Sequence, residues 1–197
     1  MIDDKLRRKG LRLEYFTLTY NIFEGLVSII SGIVAGSIAL VGFGCDSFIE
    51  SISGLILVWR LRQDFRDLAD EAEAERRAVR FVAWSFFLLA LYVAFEAVKK
   101  LWFEEMPDGS LPGMAITFLS MVVMPTLSWQ KYKTGQAMGS KALVADSKET
   151  LACVCLSATL FIGLALNYFW GWWWADPAAS LIIAIFLARE GKELLTD

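Results

Sequence analysis

A chain of 197 residues that is 56% hydrophobic, with 8 Trp, 14 Phe and a mean hydropathy of +0.49, is too apolar for an ordinary soluble domain of its size. Charged residues still make up 21% of it, for a formal net charge of −3, so they must gather in patches between apolar runs; that net charge says little about partners, and no nucleic-acid partner is expected. There is no histidine, which removes the commonest imidazole metal ligand and the commonest proton shuttle.

The chain opens on MIDDKLRRKGLRLEY, which lacks a small-residue cleavage site and reads as a cytoplasmic segment over residues 1–14 rather than a removable signal. Apolar spans follow at roughly 15–35, 39–59, 81–102, 114–130, 148–169 and 178–188. Several approach the ~20 residues that carry a helix across a bilayer. The last is short and continues through Arg189, whose long side chain can reach the interface. The pattern predicts an all-α integral membrane protein: one transmembrane domain over residues 1–197 with six transmembrane helices.

Lys and Arg set its orientation. Lys5, Arg7, Arg8, Lys9 and Arg12 precede the first span, and Arg60, Arg62, Arg66, Arg76, Arg77 and Arg80 fill a charged loop at 60–80. Lys131, Lys133 and Lys141 separate the fourth span from the fifth, and Arg189 and Lys192 close the chain. The opposite side receives only Lys99 and Lys100. Both termini are therefore expected in the cytoplasm.

Within the spans, Asn21 and Glu24 fall near the middle of the first, one turn apart. An ionisable group at that depth needs a partner, and Glu24 reads equally as an auxiliary ligand or proton carrier and as a helix-packing hydrogen bond. Ser28, Gly32 and Gly36 recur every four residues, a small-residue stripe that permits close contact inside the bundle. Asp64, Asp67, Asp70 and Glu71 read as a solvated charged helix in preference to a second, cytoplasmic metal site. Glu96 is expected near the outer surface, in water, and Pro125 is expected to kink the fourth helix. WGWWWADP reads as an outer aromatic belt, with Asp176 capping and Pro177 opening the sixth helix. Cys45, Cys153 and Cys155 lie inside spans without disulfide or zinc-finger spacing.

GSIALV at 36–41 returns as GSKALV at 139–144, 103 positions later. Continuing the copies, GSIALVGFGCDSFIE aligns Asp46 and Glu50 with Glu149 and Cys153 of GSKALVADSKETLAC. Each copy carries metal-ligand types at i and i+4, one face of a helix. With three spans per half, the halves lie in opposite orientations, an inverted repeat of three plus three as in secondary transporters. Ser37 then starts at the outer surface and Ser140 near the inner one, and nine residues at ~1.5 Å each bring both pairs to the middle of a core ~30 Å thick.

Three carboxylates at that depth cost ~3 kcal/mol apiece unless compensated. Spans two and five offer no cation there, since Lys148 falls on a different face from Glu149. The carboxylates must be protonated or share a metal ion, and exchange between those states is what a proton-coupled cation transporter uses; a protonated, hydrogen-bonded packing cluster is the alternative. Asp146, at the start of the fifth helix, reads as an N-cap or vestibule charge before a direct ligand. Ser47 and Thr150 correspond under the same offset and are expected to hydrogen-bond locally or orient ligands. Cys45 and Cys155 fall on other helix faces and are expected to pack against apolar neighbours.

These residues resemble the cation diffusion facilitators, exporters of divalent transition metals. The resemblance implies six transmembrane helices, with a D-x-x-x-D or H-x-x-x-D pair on the second and on the fifth forming a tetrahedral site in mid-membrane. Here the pairs read Asp46-Ser-Phe-Ile-Glu50 and Glu149-Thr-Leu-Ala-Cys153. SIALVGFGCDSFIE, ALVADSKET and WADPAASLIIAIFLAREGKELL are also similar to the family, so the likeness covers most of the chain. Two features depart from it. Glu149 and Cys153 stand where the family has His and Asp, and the chain ends at Asp197, just after the sixth helix, where family members typically continue into a cytoplasmic metal-binding domain. It is similar to a short branch whose membrane domain works alone, and equally to a longer family member cut short after the sixth helix. The resemblance also implies a homodimer through the third and sixth helices, and alternating access by tilting of the first, second, fourth and fifth.

The expected function is that of a secondary transporter, not an enzyme, exporting Zn²⁺ from the cytoplasm against protons. Asp46, Glu50, Glu149 and Cys153 are the expected metal ligands, with Glu24, Asn21 and Asp146 as possible auxiliaries. The Cys153 thiolate favours Zn²⁺, Cd²⁺ or Co²⁺, whereas three carboxylates alone suit Mn²⁺. Three rivals share the acidic cluster: a carrier of organic cations, a membrane metal sensor or scaffold that binds without moving its ion, and a channel.

Overall fold

In a computed structural model, residues 4–35, 38–62, 68–104, 110–170, 172 and 174–196 are described. They form six helices: α1 (Asp4–Ala35), α2 (Ile38–Arg62), α3 (Leu68–Phe103), α4 (Leu111–Met138), α5 (Lys141–Trp170) and α6 (Ala175–Thr196). Among the described residues, α1 to α4 are long and apolar enough to cross a membrane.

α1 shows what solvent the bundle is made for. Glu14, Thr17, Asn21, Glu24 and Ser28, three and four residues apart, form its inaccessible face, while Ile22, Phe23, Leu26, Ile30, Ile33 and Val34 point outward. A surface helix of a water-soluble protein is arranged the other way round. Here hydrocarbon takes the apolar side chains, and the polar ones are left to find partners in the interior.

Local chemistry sets the helix ends. Ser110 caps α4 by accepting from the Gly113 N–H at 3.2 Å, with Pro112 in the first turn. α4 continues through Pro125 and passes to α5 over a two-residue turn. Gly139 there takes φ 68°, the left-handed conformation that glycine holds without a Cβ clash. Ser140 Oγ then accepts from the Leu143 N–H at 3.3 Å to cap α5.

α1 packs on α2, α4 on α5 and α3 on α6, with α1 also against α4 and α2 against α5. Exchanging the first three helices for the last three leaves this pairing scheme unchanged, the contact of α3 with α5 being the exception. α1 and α2 approach closely: a Cβ on Gly44 would lie 2.7 Å from the Gly25 carbonyl oxygen, so the two backbones touch. α3 and α6 meet through Val82, Phe86, Leu89, Ala90 and Val93 on one side and Ala184 and Leu187 on the other.

Three expectations change. The stretch 60–80, expected as a loop, is helical wherever it is described, because α2 runs to Arg62 and α3 starts at Leu68; Glu73 and Arg77 pair one turn apart on α3. Asp64 and Asp67 lie outside the described residues, as do the side chains of Asp70 and Glu71. Cys45 and Cys155 are exposed on the outside of the bundle instead of packed within it. At 100° per residue, inward-facing Asp46 and Cys153 turn these neighbours away. Glu96 is half-buried against a cavity rather than in open water.

Candidate metal centre

Residue numbers rise along α2 as they fall along α5. Asp46 and Glu50 meet Cys153, Glu50 meets Thr150, Ser53 faces Glu149, and Leu57 and Leu61 pack with Ala142 and Leu143. The two helices therefore run antiparallel, and the i, i+4 spacing turns both candidate pairs onto one seam.

Asp46, Glu50 and Glu149 are 2% exposed and Cys153 is 1% exposed. The Cys153 thiol stands against both Asp46 and Glu50. The Thr150 hydroxyl donates to Glu50 Oε1 at 2.7 Å. Glu149 stands one turn along α5, facing Ser53. Asp46 Oδ2, Glu50 Oε2 and Glu149 Oε2 are buried without a hydrogen-bond partner, and such lone pairs are normally satisfied in a folded protein. Among the described residues no three Cys, Asp or Glu side chains close into a metal-ligand cluster in this arrangement. Asp46 also lines a cavity with Tyr92, Glu96 and Lys100 of α3 and Ser180 of α6, so one side of the site borders empty space.

The auxiliary residues come from α1. Glu24 Oε2 accepts from Ser47 Oγ at 2.9 Å, its Oε1 has no hydrogen-bond partner, and neither amide atom of the fully buried Asn21 has one. Ser47 and Thr150, 103 positions apart, each donate a hydroxyl proton to a carboxylate. Each hydroxyl ties its own helix to a carboxylate on another, Glu24 on α1 and Glu50 on α2.

Asp146 neither caps α5 nor faces a vestibule. Ser140 does the capping, and Asp146, in the second turn, is fully buried with its Oδ2 2.5 Å from Lys131 Nζ. Lys131 is the group that sequence reasoning misplaced. α4 runs on to Met138, so this lysine belongs to a buried helix face and not to a basic connection. Its ammonium also stands 3.3 Å from Glu14 Oε1 and donates to Thr150 Oγ1 at 3.3 Å. The ammonium thus donates to Asp146 and Thr150 and faces Glu14 as an ion pair. Glu14, read as the edge of a cytoplasmic segment, is inaccessible because α1 starts at Asp4 and carries it into the bundle. α4 supplies a buried cation, Lys131, that a search of spans two and five alone does not reach. The sequence signal for Glu14 was the polar stripe it begins, Glu14, Thr17, Asn21, Glu24 and Ser28. Lys131 left no comparable mark.

The family model of the cation efflux transmembrane domain matches residues 16–197. The chain belongs to the cation efflux family. The resemblance read from the paired motifs is thereby borne out, and this cation efflux protein, all-α with α1 to α4 long and apolar, is a multi-pass integral membrane protein. It is 24% identical over 169 residues to an uncharacterized transporter of Synechocystis, covering 83% of this chain and 54% of that one. It is 24% identical over 202 residues to a cadmium, cobalt and zinc/H(+)-K(+) antiporter of Bacillus velezensis, covering 96% and 61%. It is 21% identical over 194 residues to transmembrane protein 163 of Xenopus laevis, covering 97% and 68%. The chain thus spans 54% and 61% of the length of the first two relatives.

Proposed function

We propose that the chain is a secondary transporter that moves divalent transition-metal ions, Zn²⁺ first and Cd²⁺ after it, out of the cytoplasm in exchange for protons. The observation that carries this reading is the meeting of Asp46 and Glu50 with Cys153 across the antiparallel seam, with carboxylate oxygens buried there unpartnered. Six carboxylates are buried among the described residues: Glu14, Glu24, Asp46, Glu50, Asp146 and Glu149. Among the described residues, Lys131 pairs with two of them, Glu14 and Asp146. At ~3 kcal/mol for each charge held in hydrocarbon, the excess must be met by protons or by a divalent ion. The two occupancies exclude each other, and that exclusion is the basis of exchange.

With no histidine in the chain, the carboxylates and the Cys153 thiol carry the protons. The thiol directs the choice toward Zn²⁺ and Cd²⁺ and away from Mn²⁺. One relative bears the name of a cadmium, cobalt and zinc antiporter, in keeping with this choice. Six membrane-crossing helices, cytoplasmic termini, an inverted repeat and a homodimer complete the proposal. The antiparallel run of α2 and α5 and the near-symmetric helix pairing support the repeat.

The test is Zn²⁺ flux in proteoliposomes under an imposed pH gradient, wild type against Asp46→Ala. Gradient-driven flux that vanishes in the variant is expected. Binding without flux makes the protein a sensor or scaffold, and flux of Mn²⁺ without Zn²⁺ overturns the metal assignment. Full activity of Cys153→Ser points to an organic cation.

A further inference from the structure

Lys131, Glu14 and Asp146 lie outside the four-residue site, and the transport scheme above counts their charges without giving them a part in binding the ion. They are nonetheless joined to it. The Lys131 ammonium donates to Thr150 Oγ1, whose own proton goes to Glu50 Oε1. Along α5, Asp146 precedes Thr150 by one turn, about 6 Å of rise, and Cys153 by about 10 Å. We propose that Glu14, Asp146 and the Thr150 hydroxyl form a second station for a divalent cation beside the four-residue site, held in this state by the chain's own ammonium, Lys131.

The geometry supports this on three counts. First, the groups around the ammonium are those that would surround a hard cation: two carboxylates and a hydroxyl from α1 and α5, all fully buried. Second, oxygens are left over. Asp146 Oδ1 and Glu14 Oε2 have no hydrogen-bond partner, so the ammonium does not exhaust the site's capacity to ligate. Glu14 Oε2 fits into the gap left by Gly54 on α2, where an added Cβ would sit 3.3 Å from it. Third, the occupant is replaceable. A lysine ammonium is a point charge on a flexible four-carbon stem, so it can withdraw and let another cation take its place without a backbone change.

The chemistry separates the two stations. Glu14, Asp146 and Thr150 offer oxygen only, which suits a partly hydrated divalent ion of any kind, whereas Cys153 gives the neighbouring site its preference for softer metals. The first would admit an ion and the second would select it. This assignment rests on the transport reading for its place on a path, but not for its ability to bind.

Cobalt(II) titration of the purified, full-length protein in detergent tests it, because a thiolate ligand marks the cobalt spectrum and oxygen ligands alone do not. Wild type is expected to take one ion, with the thiolate signature. Lys131→Gln is expected to take a second without it, to keep that second ion when Asp46→Ala is added, and to lose it when Asp146→Asn is added. One ion per chain in Lys131→Gln overturns the proposal. Should that variant not fold, Zn²⁺ flux in Glu14→Gln decides. It is expected to fall about tenfold, the scale of one lost charge-assisted contact, while cobalt affinity at the thiolate site stays as in wild type; unchanged flux overturns the proposal. A wild type that binds no cobalt counts against the four-residue site, and an ion gained in Lys131→Gln would still support the second station.

Discussion

The interior enclosed by α1, α2, α4 and α5 and the contact between α3 and α6 are made of opposite materials. The first holds Glu14, Asn21, Glu24, Asp46, Glu50, Lys131, Asp146 and Glu149, all nearly inaccessible. The second is lined by Val82, Phe86, Leu89, Ala90, Val93, Ala184 and Leu187. In a bilayer neither choice is dictated by a hydrophobic drive between helices, since lipid is as apolar as leucine. The dry pair is held by close packing, which has one best arrangement. The polar group is held by ion pairs and hydrogen bonds that water or an ion can replace. The bundle thus separates a rigid buttress from a seam whose contacts can be exchanged.

Substitutions on the two sides should therefore fail in different ways. The largest effect is expected at Asp46. Its replacement by Ala should lower Zn²⁺ flux by at least about 100-fold, the upper range for disturbing a metal site. Thermal unfolding in detergent should show a melting temperature no lower than wild type, because a buried carboxylate with an unpartnered oxygen has been removed. A sharp loss of stability would instead make Asp46 a packing group. On the dry side Phe86→Ala should cost about 3–5 kcal/mol of stability, with the Zn²⁺ affinity of the folded protein unaltered. Altered affinity there would dissolve the distinction between the two regions.

Acidity comes next. Ligand carboxylates and thiols bind metal only when deprotonated, so Zn²⁺ affinity should fall as pH falls, by about tenfold per pH unit for each proton released. Phe86→Ala should keep that slope, and Cys153→Ser should flatten it, as read by calorimetric titration across pH. Thr150→Val, which keeps shape but removes the hydroxyl's bond to Glu50 together with the one it accepts from Lys131, is expected to be the mildest. About a fivefold loss of affinity is the scale of one such bond.

How much of this was legible in the sequence depended on distance along the chain. Asp46, Glu50, Glu149 and Cys153 could be read as candidates because each pair lies within one helical turn and the two copies repeat 103 positions apart. The matching roles of Ser47 and Thr150 followed from the same offset. Lys131 could not be found that way. A lysine near the end of an apolar run reads as an orientation signal, and only the continuation of α4 to Met138 turns it inward. Its partner Glu14 lies 117 positions earlier, among basic residues that drew the reading toward the cytoplasm. Asp146 is hidden for a related reason: the start of an apolar run does not separate a helix cap from the second turn, and Ser140 fills the cap. Periodicity reports which face a residue shares, but a partner on a distant helix is a fact of tertiary packing.

The touching backbones at Gly25 and Gly44 and the tight turn at Gly139 and Ser140 have a mechanical consequence. Each fastens a helix to its immediate neighbour, giving two stiff hairpins, α1 with α2 and α4 with α5. The polar links between these hairpins, Tyr20 to Ser120 at 2.8 Å, Lys131 to Glu14 and Thr150 to Glu50, act as the teeth of a zipper. Unzipping gives up contacts that water returns. Prising α1 from α2 would forfeit backbone contact that nothing returns, so separation is expected to cost less between the hairpins than within them.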